Sequence, residues 1–283
     1  MKREKKYFKH KDFTLKIEKA VALSHFSLRR DAFRLLERAY RLERKPRAKK
    51  ALLWILSNAR KAKKEKVAIC QDTGMPMVFI EIGKNATFDY TLIEAAKEGI
   101  KRGYRDNYLR ESIVSPLSRE RLESEQFIFH LDFSNRRRRT KVTIFPKGFG
   151  SENKSALKMF NPTATEGEID EFIVESARNA GPEACPPFFV GVGIGGTSDK
   201  AMLMAKKSLM GRVDRENPDA ILRKMESRLY KRINALKIGP MGMGGGFSCL
   251  AVKIVKFPTH IAGLPVGVNI SCHALRSNSF FID

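Results

Sequence analysis

Apolar residues recur three and four apart over residues 13–62. Ala32, Leu35, Leu36 and Ala39 fall on one stripe and Ala51, Leu52, Ile55 and Leu56 on another, which predicts helices. Lys45-Pro46 predicts a break, because the residue before proline is pushed out of helical space. From Val67 the period changes. Residues 77–82 read as a strand turned by Gly83-Lys84-Asn85, and residues 90–103 as an amphipathic helix with Gly103 at its C-cap. Residues 126–133 and 140–145 predict two strands joined through Arg136 to Arg139, at a hairpin tip or in a solvated loop. Residues 166–180 predict a helix stopped by Gly181-Pro182. Cys185, ahead of Pro186 and Pro187, is expected in an extended segment. Residues 188–194 read as a buried strand, and Thr197 or Ser198 opens a helix to about residue 210. A further helix is expected at 218–236, strands at 249–255 and 265–270, and a short polar tail at the end. The order predicts a mixed α/β (α+β) fold, with a helical N-terminal region followed by mixed sheets and packed helices.

The 283 residues, 42% of them hydrophobic, suffice for one large domain or two modest ones, and no linker stands out. No apolar run approaches the ~18 residues of a membrane span, and the first residues lack the apolar core of a secretory signal, so a cytoplasmic protein is expected. Four widely spaced cysteines in a reducing compartment read as ligands, catalysts or core residues rather than disulfides. The net charge of +23 admits nucleic acid, an anionic substrate or the solvated faces of a heat-adapted protein. It is concentrated in residues 1–66 and 136–139, without the interleaved aromatics of a strand-binding groove, which argues against nucleic acid as the main partner.

Chemistry concentrates at Cys70-Gln71-Asp72-Thr73-Gly74, where thiol, amide, carboxylate and hydroxyl follow one another between two apolar segments. A loop at the edge of a core fits this pattern, and so does a polar turn with a buried thiol. Gly191-Val192-Gly193-Ile194-Gly195-Gly196 matches a dinucleotide fingerprint, with Asp214 near the distance of a ribose-binding acid. The segment before Asp214 is too short and glycine-broken for the required second strand, so a tight turn lining another site is expected. Cys249 lies in an ordinary apolar run and reads as core. Cys70, Cys185 and Cys272 stand in unusual settings. Three thiolates from distant segments suit an iron–sulfur cluster with an open position, or zinc, although structural zinc usually takes close ligand pairs.

Several longer motifs follow one order: Cys70-Gln71-Asp72-Thr73-Gly74, Asn107-Tyr108-Leu109-Arg110, Lys147-Gly148-Phe149-Gly150-Ser151, Ala184-Cys185-Pro186-Pro187 and Gly193-Ile194-Gly195-Gly196-Thr197. Ile238-Gly239-Pro240-Met241-Gly242, Pro258-Thr259-His260 and Ser271-Cys272 complete the series. In these the chain resembles the iron–sulfur (class I) fumarate hydratases, specifically the α-subunit or N-terminal domain, from about Val67 to Arg276. The resemblance implies one catalytic domain over 1–283, with 1–66 its basic helical part. It implies a [4Fe-4S] cluster held by Cys70, Cys185 and Cys272, with helices and sheets packed around it. It implies that Gln71, Asp72, Arg110, Gly150 and His260 bind a small dicarboxylate, Asp72 and His260 also acting in catalysis. Hydration of fumarate to (S)-malate is the implied reaction, with L(+)-tartrate dehydration as the alternative. In the family the proton-abstracting threonine lies in a C-terminal domain, so a separate β-subunit in an α2β2 assembly is implied. Two departures stand out: Phe149 replaces a usually small residue, and Ser118-Arg119-Glu120-Arg121-Leu122 lacks the family's Asn-Thr pair. The rival of a different class is a basic nucleic-acid-binding protein.

Overall fold

The computed structural model describes residues 10–84, 90–122, 127–135 and 139–282, and the chain divides into two compact units. Features expected at residues 1–9, Asn85, Gln126 and 136–138 lie outside the described residues.

The first unit (Met1–Arg29, Ala59–Gly148 and Arg276–Asp283) is built on β1 (Met77–Gly83). That run is buried on nearly its whole length, which suits a central strand. It is flanked by β2 (Ile128–Ser134), parallel to it, and β3 (Thr140–Ile144), antiparallel. The two arginine-linked segments are therefore strands but not a hairpin, because β1 lies between them. β2 is an edge strand with Phe133 79% exposed, while β1 and β3 are the strands flanked on both sides. The segment expected as a polar tail is β8 (Asn278–Ile282), antiparallel to β3, with Phe280 edge-on to Phe13 at 6.0 Å. Alternating exposed and half-buried positions make such a short edge strand look like a tail in sequence.

Over this sheet lie α1 (His10–Phe26) and α4 (Thr91–Arg105). Ile17, Val21, Ala96, Ile100 and Tyr104 bury against Val78, Ile80, Val142 and Ile144. Gly103 is not the C-cap; that place belongs to Asp106, and Gly103 is buried inside the helix against Val21. Helix periodicity cannot separate a capping glycine from one that lets a neighbouring helix approach.

The second unit (Arg30–Asn58 and Phe149–Leu275) begins with α2 (Arg30–Leu42), and Pro46 opens α3 (Pro46–Glu65) as the break at Lys45-Pro46 predicts. Its sheet contains β4 (Ala156–Phe160), β5 (Phe188–Ile194), β6 (Cys249–Lys256) and β7 (Leu264–Ser271), in the order β4-β7-β5-β6. β5 runs parallel to β6 and antiparallel to β7. One face carries Val190, Val192, Val252, Ile254 and Val268, packed with Ile173, Ala177, Leu222 and Leu229. These come from α6 (Glu166–Ala180), opened by the Thr165–Glu168 capping box, and α8 (Ala220–Ala235), capped by Asp219. Both sheets mix parallel and antiparallel pairs, so the fold class is mixed α/β, as the element order predicts.

The opposite face of β5 presents Gly191 and Gly193 to α7 (Ser198–Ser208). A Cβ on either would stand 2.1 Å from a carbonyl oxygen of that helix, Ala205 O or Ala201 O. The glycines of the apparent dinucleotide fingerprint thus serve helix-on-strand packing. Asp214 is held by both arms of Arg212, at 2.7 Å each. Among the described residues, no helix is long and apolar enough to cross a membrane.

Candidate active site

In the first unit, Cys70 to Gly74 form a loop whose polar backbone is almost fully used. Met75 and Lys147 exchange two backbone hydrogen bonds of 3.0 Å, which moor the loop's end. The Gly74 N–H donates to Asp72 Oδ1 at 2.9 Å, closing a local turn. Thr73 Oγ1 donates to the carbonyl of Arg110, and the Thr73 carbonyl lies 2.9 Å from His25 Nε2. Tyr104 Oη donates to the Gly74 carbonyl at 3.2 Å. Arg276, only 3% exposed, donates from Nη2 to the Asp72 carbonyl at 2.9 Å. Thr73 and Gly74 are buried, whereas Cys70 and Asp72 are half-buried and Gln71 and Arg110 exposed. The Arg110 backbone is thereby tied to Thr73, the residue after Asp72. Among the described residues, Arg110 has no ion-pair partner that would make it a surface salt bridge. Gly148 keeps the space over the carboxylate open, since a Cβ there would stand 2.9 Å from Asp72 Oδ2.

His25 is fully buried, with Nδ1 2.8 Å from the Val21 carbonyl and Nε2 on Thr73. Burial first, and the Arg276 charge second, lower its pKa from 6.5 to about 4. The neutral ring has one proton and donates it to one of the two carbonyls at a time. Because the folded value lies below the unfolded one, this contribution to stability is full above pH 6.5 and is lost as pH falls toward 4. The shift corresponds to roughly 3 kcal/mol. Urea unfolding at pH 7 and near pH 4 measures it: wild type loses stability on acidification, and His25→Gln loses correspondingly less. Equal losses in the two proteins would contradict the assignment.

In the second unit, Cys185 follows a 3₁₀ turn at Pro182–Ala184 and adopts φ 51°, ψ 64°. The expected extended conformation is thus corrected. The proline that follows bars the right-handed helix, and the chain takes the left-handed region instead. Its carbonyl lies 3.2 Å from the backbone N of His273, which donates to it, and 2.9 Å from His273 Nδ1. Cys185 is thereby tied to the residue after Cys272. Gly150 sits exposed in α5 (Phe149–Glu152), and a Cβ there would meet nothing closer than Glu183 O at 3.8 Å. The packing around it therefore does not itself require glycine at that position. α5 is anchored by Glu152, which pairs with Lys206 and accepts from Asn269 Nδ2 at 2.8 Å. His260 lies exposed on the loop after β6, which the glycine turn after β5 holds: Gly196 N donates to Pro258 O, and Thr259 Oγ1 lies 3.1 Å from Gly196 O. The Ala262 N–H donates to His260 Nδ1 at 3.2 Å, so in the neutral ring Nε2 carries the proton.

All four cysteines are free. Cys249 is fully buried, its thiol reaches the Ala251 carbonyl at 3.2 Å, and burial pushes its pKa up to about 12. Such a sulfur stays a neutral core thiol. Cys70, Cys185 and Cys272 are half-buried free thiols, each a soft donor type. Cys70 belongs to the first unit and the other two to the second. Within neither unit, among the described residues, are three His, Cys, Asp or Glu side chains gathered into a ready cage. The residues that hold the Asp72 loop are His25, Thr73, Tyr104 and Arg276. Three of them lie in ordinary helix patterns or beyond the last motif, and only Thr73 sits inside a motif.

Residues 14–280 match the family model described as fumarate hydratase (Fumerase). The chain is 40% identical to a Methanocaldococcus jannaschii protein whose provisional name is L(+)-tartrate dehydratase subunit alpha, covering 87% of this chain and 89% of that one. It is 29% identical to a Geobacillus stearothermophilus protein provisionally named fumarate hydratase class I. That match covers 84% of this chain but only 48% of the relative, so the chain spans about half its length. It is 24% identical to the L(+)-tartrate dehydratase subunit alpha of Escherichia coli K12, over 75% of this chain and 72% of that one. With the family model covering nearly the whole chain and a 40% identical relative matched along almost its full length, the chain belongs to the fumarate hydratase (Fumerase) family of hydro-lyases.

Proposed function

We propose that the chain is the α-subunit of a cytoplasmic two-subunit hydro-lyase that interconverts fumarate and (S)-malate. The single observation that supports this reading most is the bond from Thr73 Oγ1 to the Arg110 carbonyl, which ties the backbone of Arg110 to the residue after Asp72. Cys70, Cys185 and Cys272 would hold a [4Fe-4S] cluster. When bound, its iron without a protein ligand supplies a Lewis acid for the substrate's hydroxyl and a carboxylate oxygen.

The chain's own residues divide the remaining work. Arg110, exposed and unpaired among the described residues, clamps one substrate carboxylate through two parallel N–H donors. Gln71 offers an amide N–H from the same loop. Asp72, with Oδ1 engaged by Gly74, turns Oδ2 toward the hydroxyl or the water. His260 donates from Nε2, and Gly150 lets a backbone N–H come close. The proton-abstracting group is assigned to a separate β-subunit in an α2β2 assembly. The names of the 40% and 24% identical relatives, each a subunit alpha, support that division.

L(+)-tartrate is the second reading, favoured by the names of the 40% and 24% identical relatives. The test is anaerobic co-expression with the β-subunit and assay on (S)-malate, fumarate and L(+)-tartrate. A higher kcat/KM on malate than on tartrate is expected, together with negligible turnover by the isolated chain. The reverse order would assign tartrate, and full turnover by the single chain would remove the partner. Tight, steeply salt-dependent binding to DNA or RNA without iron would favour the nucleic-acid rival.

A further inference from the structure

Arg276 is buried to 3% exposure, yet engages only Nη2, on the Asp72 carbonyl at 2.9 Å. Its Nε and Nη1 are buried without a hydrogen-bond partner among the described residues. A guanidinium held this way is a poor stabilising device, because desolvation opposes it and an apolar side chain of similar volume serves a core as well or better. What it does achieve is local. Asp72 is held at two points: its carbonyl by Arg276 and its Oδ1 by the Gly74 N–H. A Cβ added to Gly148 would stand 2.9 Å from Asp72 Oδ2 and 3.6 Å from Arg276 Nη2, so the guanidinium and the carboxylate border the same open space. The charge is also felt by His25 and Tyr104, the two side chains that hold Thr73 and Gly74 from the helix side.

We propose that Arg276 is a positioning residue for Asp72, holding the carbonyl of that residue so that its carboxylate meets the substrate in one orientation. The inference rests on the hydro-lyase reading given above. Arg276 acts through Asp72 and does not itself bind the dicarboxylate, which Arg110 takes.

The test compares wild type, R276Q, D72N and the double variant in the co-expressed complex, with hydrogen exchange on the same proteins. Small misplacements of a reacting group cost up to ~10²-fold, so R276Q is expected to lower kcat roughly 10- to 100-fold at nearly constant KM. D72N/R276Q should be no slower than D72N, since a positioning residue has nothing left to position. The Gly74 amide should exchange about tenfold faster or more in R276Q, with the β5 amides unchanged. An unchanged kcat, a raised KM at constant kcat, or full additivity in the double variant would overturn the inference. So would an unchanged Gly74 exchange rate, whatever the substrate. Wild type that turns over neither malate nor tartrate, with Gly74 exchange still faster in R276Q, would instead count against the hydro-lyase reading while leaving the Arg276–Asp72 hold intact.

Discussion

Cys272→Ser is expected to yield a folded protein without iron and with less than about 1% of wild-type activity. Losing an outer partner of a metal ligand costs ~10–100-fold in affinity, and losing a ligand itself costs more. Cys272 is half-buried, and His273 next to it is fastened to the Cys185 carbonyl, so a serine there keeps the backbone and removes only the soft donor. Cys249→Ser is the matched control. Cys249 sits in the core with its thiol on the Ala251 carbonyl, and a serine hydroxyl can make the same contact. The change should lower stability by on the order of 1 kcal/mol and leave iron content unaltered. Iron and sulfide analysis of both variants, prepared anaerobically, reads the difference. Equal iron loss in the two would refute the assignment of three ligands and one core thiol.

Asp72→Asn is expected to lower kcat ~10²–10⁴-fold, the range that a positioned acid–base group supplies. The substitution preserves the loop, because an asparagine Oδ1 still accepts the Gly74 N–H and the carbonyl still accepts from Arg276. Its thermal midpoint and iron content should therefore stay near those of wild type. What it removes is the negative charge and the basic oxygen at Oδ2. Steady-state kinetics on (S)-malate and fumarate measure the loss. Wild-type kcat in D72N would take Asp72 out of the reaction.

Much of this architecture was legible as pattern. β1 and β5 are continuous apolar runs, and such runs end up covered on both faces. The helices expected at 166–180 and 218–236 are α6 and α8, found at Glu166–Ala180 and Ala220–Ala235. Cys249 read as core because its neighbours are apolar, and it is fully buried. The failures among the strands share one physical origin, which is that pairing across a sheet is settled by distant segments. Residues 128–134 and 140–144 look like a hairpin, yet each finds a better partner in β1. β4 and β8 are five-residue edge strands with half their side chains in solvent, so nothing in their local period distinguishes them from loops.

The candidate site divides along the same line. Cys70, Gln71, Asp72, Arg110, Gly150, Cys185, His260 and Cys272 stand in motifs whose composition is odd for mere packing. The residues that hold them in place have no such signature. His25 is one polar position on a helix, and Arg276 looks like one more cation in a chain of charge +23. Only the fold shows that one is fully buried and the other 3% exposed, both behind the same loop. Gly191 and Gly193 illustrate the converse. A fingerprint with a well-known chemical meaning is used here to seat α7 on β5.

The central claim is that three cysteines of this chain hold an iron–sulfur cluster with one iron open to substrate. Iron and acid-labile sulfide analysis of anaerobically purified wild type, followed by EPR after mild oxidation, tests it most directly. The expected result is about four iron and four sulfide per chain, with an oxidised signal that reports loss of a single labile iron. Anaerobic protein that contains no iron or sulfide, or a cluster that persists unchanged in Cys272→Ser, would contradict it.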